Sequence, residues 1–383
     1  MCNIEKVETR TLADIYEMVR KSKRLENMID FPSANSFKNN PKVWRECIKY
    51  SLENVNITQS DLNIELSKMI SAYDRVKEIT DLYKLEYNSS IDNPDFRFCI
   101  SWMLIILIKL YLLRFDVDTK IKSSTDFENK IMSQKDNTEL LWRGQTNSKY
   151  DFVPSIFRCL TTNQYFKFKD LLDSYDVNNL LDKYIEIFNI NKANPDTKDY
   201  IDFFAYMQHS VSYSPMLDLT DKVEIASIFA NNFYKGTNYN DYVNTDSAIF
   251  SINRKLLNCD IDIEHKSLEE FSVQVITNKL KYSDTIFNKH LWELSFDDLR
   301  VKFALYSRQT NDRMKYQHGY FIVPYHAVII NNKMLFTEDS SMINKYVIDK
   351  DYKQKIYSDI IDKYSYLDYD YLMDPYLYFG VMK

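Results

Sequence analysis

The sequence predicts an α+β protein with a helical N-terminal region followed by a part built on antiparallel strands. Apolar residues recur at helical spacing in the first 120 or so positions, whereas short β-forming runs separated by polar segments dominate after them. These runs do not alternate regularly with crossover helices, so we expect mostly antiparallel pairing. Hydrophobic residues make up 45% of the 383 and aromatic residues 15%, which is enough for a substantial core. We therefore divide the chain into residues 1–120 and 121–383.

The N-terminal region contains one clear helical face between residues 60 and 86. Its apolar positions alternate in steps of four and three: Leu62, Leu66, Met69, Tyr73, Val76 and Tyr83. The apolar run 98–113 contains Lys109 and is too short for a membrane span, so it predicts a helix buried in a domain core. This region shows no catalytic constellation. We expect it to dock a protein partner or a second copy of the chain.

Composition narrows the class of protein. The net charge is −6, and acidic and basic residues are mixed without a basic tract, which disfavours a dedicated nucleic-acid surface. The five cysteines are far apart and show no metal-ligand spacing. We therefore expect a reduced, cytoplasmic protein with no structural metal and no membrane association. The N-terminal residues do not have the layout of a signal peptide.

The second part of the chain predicts a sequence of short elements. The run 138–144 reads as a strand ending at a glycine, residues 166–210 as helices, and 216–220 as a short strand that leads into a helix over 223–230. Asp221 with Glu224 three residues later predicts a capping box at the start of that helix. Three further strands are predicted by the runs "SAIFSI", "FSVQVI" and "GYFIVPYHAVII".

An arginine and a glycine mark the first polar patch, "WRGQ", which is followed by "PSIFR" at 154–158. Gly144 is one of only four glycines in the chain, so it predicts a positive φ or a close approach of the backbone to another group. Arg143 beside it suits bidentate binding of a phosphate or carboxylate. The alternative is a structural ion pair, and this patch by itself favours the alternative.

Two more patches contain candidate residues. The segment 206–230 contains His209 at a helix end and Asp218 within an apolar run, where a buried carboxylate needs a partner. A single histidine is usually a hydrogen-bonded helix-end residue, so His209 proves nothing by itself. In "NDRMKYQHGYFIVPY", Arg313 and Gln317 precede a glycine that opens a β-forming run. The chain has no P-loop, no nucleophile elbow and no paired His/Cys metal motif.

The four patches, taken in order, resemble the FRG-domain family. The matching segments are "WRGQ", "PSIFR", "QHSVSYSPMLDLT" with "ASIFA", and "RMKYQHGYF". The resemblance covers about residues 121–383, including a tail with "LMDP". Within the third segment the family's arginine is replaced by Pro215 and its tryptophan by Leu219. The loss of that arginine implies that a second phosphate or substrate clamp is missing, so either ligand binding has shifted or this chain is a degenerate member of the family.

FRG domains are in turn similar to ADP-ribosyltransferases, which implies a split antiparallel β core that binds NAD. By this resemblance Arg143 is the first-strand residue that holds NAD, Ser214 or Thr220 supplies a hydroxyl, and Gln317 takes the late position near the nicotinamide ribose. Glutamine has no negative charge, so Asp218 is the candidate for stabilising the positive charge that develops on the ribose. The catalytic candidates are therefore Arg143, Asp218 and Gln317. The candidates for binding NAD are Arg143, Gly144, Gln145, His209, Ser214, Thr220 and Arg313.

The leading hypothesis is an NAD-dependent effector, toxin-like or antiphage, that cleaves the nicotinamide–ribose bond. The ADP-ribose would pass to water or to an unidentified protein or nucleic-acid acceptor. The second hypothesis is a binding module that recognises a nucleotide or phosphorylated ligand without turnover. A nuclease toxin is a weaker third, because the sequence shows no carboxylate cluster and the overall charge is negative.

Overall fold

The computed structural model describes most of the chain after residue 118. The described ranges are 119–158, 160–167, 170, 175–188, 197–210, 214–232, 239–257, 271–277, 280–281, 283–306, 312–336, 343–364 and 372, with 70, 73–74, 101, 104–105 and 107–108 before them. The predicted helical face over 60–86 therefore lies, apart from Tyr73 and its described neighbours, outside these residues. The "LMDP" tail also lies outside them, apart from Leu372.

The chain divides into two compact units. The first comprises residues 1–116, 276–300 and 335–339, and the second comprises 117–275, 301–334 and 340–383. The first unit thus includes two segments that the sequence analysis placed in the second part of the chain. In this unit Tyr73 is buried, and its hydroxyl donates to the Leu294 carbonyl at 3.0 Å. The described residues of the run 98–113 are helical and buried, as predicted for a core helix.

Twelve strands are present among the described residues. They are β1 (Thr119–Ile121), β2 (Leu140–Gln145), β3 (Gln164–Lys167), β4 (Leu217–Thr220), β5 (Ser247–Asn253), β6 (Ser272–Ile276), β7 (Thr285–Ile286), β8 (Lys289–His290), β9 (Lys302–Tyr306), β10 (Gly319–Ile330), β11 (Lys333–Met334) and β12 (Ile343–Ile348). The hairpin of β7 and β8 belongs to the first unit. The remaining strands form one ten-stranded sheet.

Eight α-helices that begin after residue 118 have both of their ends among the described residues. They are α1 (Ser124–Lys130), α2 (Ser155–Arg158), α3 (Tyr175–Phe188), α4 (Thr197–Ser210), α5 (Val223–Asn231), α6 (Tyr239–Asn244), α7 (Asp312–Tyr316) and α8 (Lys350–Lys363). Helices α3 and α4 confirm the helical prediction over 175–188 and 197–210, whereas Phe166 and Lys167, at the start of the predicted range, belong to strand β3. Strand β4 followed by α5 confirms the predicted short strand and helix. The molecule is therefore an α+β protein.

The sheet has the strand order β1-β12-β5-β2-β4-β10-β6-β3, with β9 and β11 also paired to β10. Strands β1 and β12 run parallel, whereas β12 with β5, β5 with β2, β2 with β4, β4 with β10 and β6 with β3 pair antiparallel, so the sheet is mixed. Strand β2 pairs with β5 over its whole length, from Leu140 to Gln145. It pairs with β4 at a single position, Trp142 opposite Thr220. The two central strands therefore share one backbone pair.

A hydrophobic cluster covers one face of the sheet around β2. It joins Leu140 and Trp142 of that strand to apolar residues of α5 and α8, among them Ala226, Ala230 and Ile356. Because side chains alternate along a strand, Arg143 and Gln145 project from the opposite face of β2. Packing of one face against α5 thus presents the polar residues of β2 on the other.

The predicted capping box at the start of α5 is wrong. The N-cap residue is Lys222, and no side chain caps it. The Asp221 carboxylate instead faces Tyr320, whose hydroxyl donates to it at 3.3 Å, and Arg254, 3.9 Å away. The hydroxyl belongs to β10 and the guanidinium to the turn that follows β5, and a local capping pattern does not reveal partners so distant in sequence.

Among the described residues, no helix is long and apolar enough to cross a membrane.

Candidate functional site

Gly144 lies where β2 meets helix α5. Its φ is not in the left-handed region, so a positive φ is not the reason for a glycine here. A Cβ at this position would lie 1.9 Å from the Ala226 carbonyl oxygen and 2.7 Å from the Ala230 nitrogen. The backbone of α5 therefore occupies the space that a side chain would need. The close approach predicted for Gly144 is an approach of helix to strand.

The Arg143 side chain bridges β2 and β4. Its Nη1 donates to the Asp218 carbonyl oxygen at 2.9 Å and also to the Asp218 carboxylate. Arg143 is 9% exposed, whereas the Asp218 side chain is 44% exposed. The arginine is thus enclosed between the strands, and the carboxylate it orients faces solvent. The structure brings together these two predicted residues, 75 positions apart in sequence.

Gln145 joins the same cluster through its amide oxygen. In the orientation that satisfies both ends of the amide, this oxygen accepts from Arg143 Nε at 2.7 Å and Arg143 Nη2 at 2.8 Å. It also accepts from Arg158 Nη2 at 3.2 Å. Three N–H groups from two guanidinium groups therefore point at one oxygen atom.

Arg158, at the end of α2, is the second cation of the site. Its Nε donates to the Val153 carbonyl at 2.8 Å, and its guanidinium lies over the Tyr150 ring, 5.2 Å from the centroid. Burial lowers the pKa of Arg158 to about 10, and the neighbouring positive charge of Arg143 acts in the same direction while Asp218 opposes both. The group is still charged at neutral pH. Two like charges held this close favour the presence of an anion.

Gln208 of α4 supplies another contact to the exposed carboxylate. Its Nε2 donates to Asp218 Oδ1 at 2.9 Å, so Asp218 is oriented by both α4 and β2. Ser214 is buried, and its Oγ donates to the Phe204 carbonyl at 3.2 Å while its N–H donates to Ser155 Oγ at 3.0 Å. These bonds tie the segment before β4 to α2 and α4. Ser214 thus holds the frame around Asp218.

Thr220 and Gln317 make a separate set of contacts. The Thr220 hydroxyl donates to the Gln317 carbonyl at 2.8 Å and accepts from Lys222 N at 3.1 Å. The Gln317 amide donates to the Leu372 carbonyl at 2.5 Å and is buried. Both side chains thus link β4 to β10 and to the C-terminal segment. A direct role for Gln317 at a ribose stays a prediction.

The side chains of His209 and Arg313 lie outside the described residues, although their backbones belong to α4 and α7. Arg158, Gln208 and Tyr150 are at the site but were not among the predicted site residues. Arg158 and Gln208 each lie within one of the matched motifs, so motif membership could have identified them. Tyr150 lies between two motifs and carries no comparable signal.

The loop after β2 is anchored by a buried lysine of α8. Lys353 is 1% exposed, and its Nζ donates to the carbonyls of Thr146, Tyr242 and Thr245, each at 3.1 Å. The same ammonium lies over the Tyr242 ring, 4.1 Å from the centroid. Burial lowers the pKa of Lys353 from 10.5 to about 8, and nearby Asp246 opposes this shift. Thr146 follows Gln145 directly, so Lys353 fixes the end of the site.

This lysine predicts a pH dependence of stability. The folded protein releases the Lys353 proton near pH 8, whereas the unfolded chain keeps it until about pH 10.5. The unfolded state therefore binds more protons in this window, and the free energy of unfolding should increase with pH by roughly 1–3 kcal/mol. Urea denaturation across pH 7–10.5 measures this, with Lys353→Met as the reference that lacks the group. Equal pH profiles for the two proteins would show that Lys353 has an ordinary pKa.

The fold and the site together define an α+β domain with an arginine-centred polar site. The site lies where the central strands β2 and β4 are joined by a single pair of residues, Trp142 and Thr220. Residues 138–240 match the model of the FRG domain family. This match supports the predicted resemblance to the FRG-domain family over residues 138–240. The match contains Arg143, Gln145, Arg158, Gln208 and Asp218, and it ends before Arg313 and Gln317.

No curated protein and no solved structure gave a significant match to the chain. In the part of the chain that the structure describes, no group of three or more His, Cys, Asp or Glu side chains is arranged to hold a metal ion.

Proposed function

We propose that the site of Arg143, Arg158, Gln145 and Asp218 binds NAD and cleaves the bond between nicotinamide and ribose. The observation that carries this proposal is the convergence of three N–H groups from two arginines on the Gln145 amide oxygen. Donors that converge on one uncharged oxygen can hold an anionic oxygen more strongly, because each hydrogen bond then becomes an ion pair. The pyrophosphate of NAD supplies such oxygens when the Gln145 side chain turns aside.

In this proposal Asp218 is the charged group that acts on the ribose, where the bond is broken. When the glycosidic bond breaks, its electron pair leaves with nicotinamide and positive charge develops on the ribose. A carboxylate oriented by Arg143 and Gln208, and open to solvent, stabilises that charge. Water or an acceptor nucleophile then adds to the ribose carbon and loses its proton. The proposal is tested by incubating the protein with NAD and measuring the release of free nicotinamide by chromatography.

A second function, binding without turnover, is favoured by the contacts of Gln317. Its amide is bonded to the Leu372 carbonyl, so it is already engaged where the ADP-ribosyltransferase pattern has a residue on the ribose. This function predicts NAD binding by calorimetry with no nicotinamide release. A protein that releases no nicotinamide and binds neither NAD nor any other nucleotide or phosphorylated ligand would contradict both functions.

Gln145→Glu tests the anion site with a nearly isosteric change. One oxygen of the new carboxylate would pair with both arginines, while the other would replace an amide nitrogen that faces acceptors, so we expect the fold to survive with a change in stability of less than about 2 kcal/mol. The carboxylate would also neutralise the donors, and we expect NAD to bind at least about 10-fold more weakly. Gln164→Glu in β3 is the matched control, because Gln164 is exposed and its change should leave NAD affinity within about 2-fold. Unchanged affinity in Gln145→Glu would show that the anion does not bind at the two arginines.

A further inference from the structure

The loop between β2 and α2 is rigidly held although it lies at the surface. Ser148 N donates to the Asp246 carbonyl at 2.7 Å, and Tyr150 N donates to the Asn147 carbonyl at 3.1 Å. Lys149 N donates to the Asn147 side chain at 2.9 Å, which adds a local turn. The backbone of the loop is therefore fixed by hydrogen bonds from within and from outside.

Both ends of this loop are tied to elements on its flanks. Lys353 binds the Thr146 carbonyl at the start, and Lys345 of β12 forms a 3.0 Å ion pair with Asp151 at the end. The side chains of Lys345 and Asp151 are 9% and 16% exposed, so this pair is poorly screened by solvent. A loop fixed at both ends loses little conformational entropy when a ligand binds to it.

Tyr150 is the residue that this loop presents. Its side chain is 47% exposed, and it is the one large hydrophobic residue exposed to this degree in the described part of the chain. One face of its ring is covered by the Arg158 guanidinium, 5.2 Å from the centroid. Nearly half of the Tyr150 surface is thus open to solvent and is available for contact with a second planar group.

The ring is also coupled directly to the proposed anion site. Arg158, which lies over Tyr150, is the same residue whose Nη2 donates to the Gln145 oxygen. An anionic oxygen that replaced the Gln145 oxygen would therefore contact Arg158, and the Tyr150 ring lies against that same guanidinium. Aromatic side chains bind planar bases by stacking, and every base has a face for this contact.

We infer that Tyr150 is a preformed stacking surface for the planar ring of a nucleotide whose phosphate is held by Arg143 and Arg158. This inference rests on the proposed function, because it takes these two arginines as the anion site. It adds the second recognition element, a ring-binding position supplied by the rigid loop. The ligand class is accordingly a nucleotide with both a ring and an anionic group.

Three probes and two variants test the inference. The probes are NAD, AMP and inorganic pyrophosphate, and their affinities are measured by calorimetry for the parent protein, Tyr150→Ala and Tyr150→Phe. We expect Tyr150→Ala to weaken NAD and AMP about 5- to 100-fold, the range for loss of one stacked base. We expect Tyr150→Phe to bind both within about 2-fold, since the ring is retained. Pyrophosphate has no ring, so its affinity should change by less than about 2-fold in either variant.

The outcomes separate this inference from the proposed function. Unchanged NAD affinity in Tyr150→Ala overturns the inference and leaves the proposed function standing. An equal loss for pyrophosphate and NAD shows that Tyr150 acts only by supporting Arg158, which also overturns it. If the parent protein binds AMP through Tyr150 but not NAD, the inference stands and the proposed function fails. If the parent protein binds none of the probes, both fail.

Discussion

Gly144→Ala is expected to destabilise the protein by roughly 3 kcal/mol or more, beyond the usual range for small overpacking changes. The new Cβ would lie 1.9 Å from the Ala226 carbonyl oxygen. Because this atom and the Ala230 nitrogen belong to the backbone of α5, no rotamer change can relieve the clash. The whole helix must shift from β2, and the hydrophobic cluster around Trp142 must open with it.

Gly319→Ala is the matched control for this change. A Cβ at Gly319 would meet Met314 atoms at 3.4 Å or more, which are ordinary contacts. Its φ is not in the left-handed region, so we expect a change in the free energy of unfolding of less than about 1 kcal/mol, in either direction. Urea denaturation of both variants measures the difference. Similar stabilities would show that α5 yields easily to a methyl group on β2.

Asp218→Asn is expected to lower nicotinamide release at least about 100-fold and to leave NAD binding unimpaired. The substitution keeps the shape of the side chain and an oxygen for Arg143 and Gln208, but it removes the negative charge. Loss of that charge leaves Arg143 less neutralised, so NAD should bind as well as before or more tightly. If kcat for nicotinamide release falls while the Kd for NAD does not rise, the Asp218 carboxylate stabilises the transition state and not the bound substrate.

Asp221→Asn supplies the matched control. Asp221 follows β4 three residues after Asp218, and its carboxylate faces Tyr320, Arg254 and His318. We expect its change to leave nicotinamide release within about 3-fold. If Asp218→Asn releases nicotinamide at the parent rate, Asp218 only neutralises Arg143, and binding without turnover becomes the better account.

Local patterns predicted the elements of this fold well. The apolar runs and the glycine after Arg143 marked β2, and the run 319–330 appeared as the long strand β10. The family resemblance placed Arg143 and Asp218 at one site, and the structure brings them together. Their direct pairing was not predicted: the structural ion pair considered for Arg143 is present, and its partner is Asp218.

The partners of single side chains could not be predicted in the same way. Gly144 was expected to allow a ligand or a special φ, but its neighbour is a helix that begins 79 positions later. Asp221 has the spacing of a capping box and yet turns to Tyr320 and Arg254. Gln317 donates to Leu372, 55 residues away. Each depends on packing between elements distant in sequence, which local spacing does not encode.

The single backbone pair between β2 and β4 has a mechanical consequence. Neighbouring strands resist rotation about their common axis through the hydrogen bonds that link them, and here Trp142 and Thr220 form one such pair. The sheet is therefore weakly joined between β2 and β4, with β1, β12 and β5 on the β2 side and the remaining strands, β10, β9, β11, β6 and β3, on the β4 side. The Arg143 guanidinium links β2 to β4 across this junction, because it donates hydrogen bonds to the Asp218 carbonyl and carboxylate. Under the proposed function, an anion that binds Arg143 would weaken its bonds to Asp218, so we expect ligand binding to loosen the junction between β2 and β4.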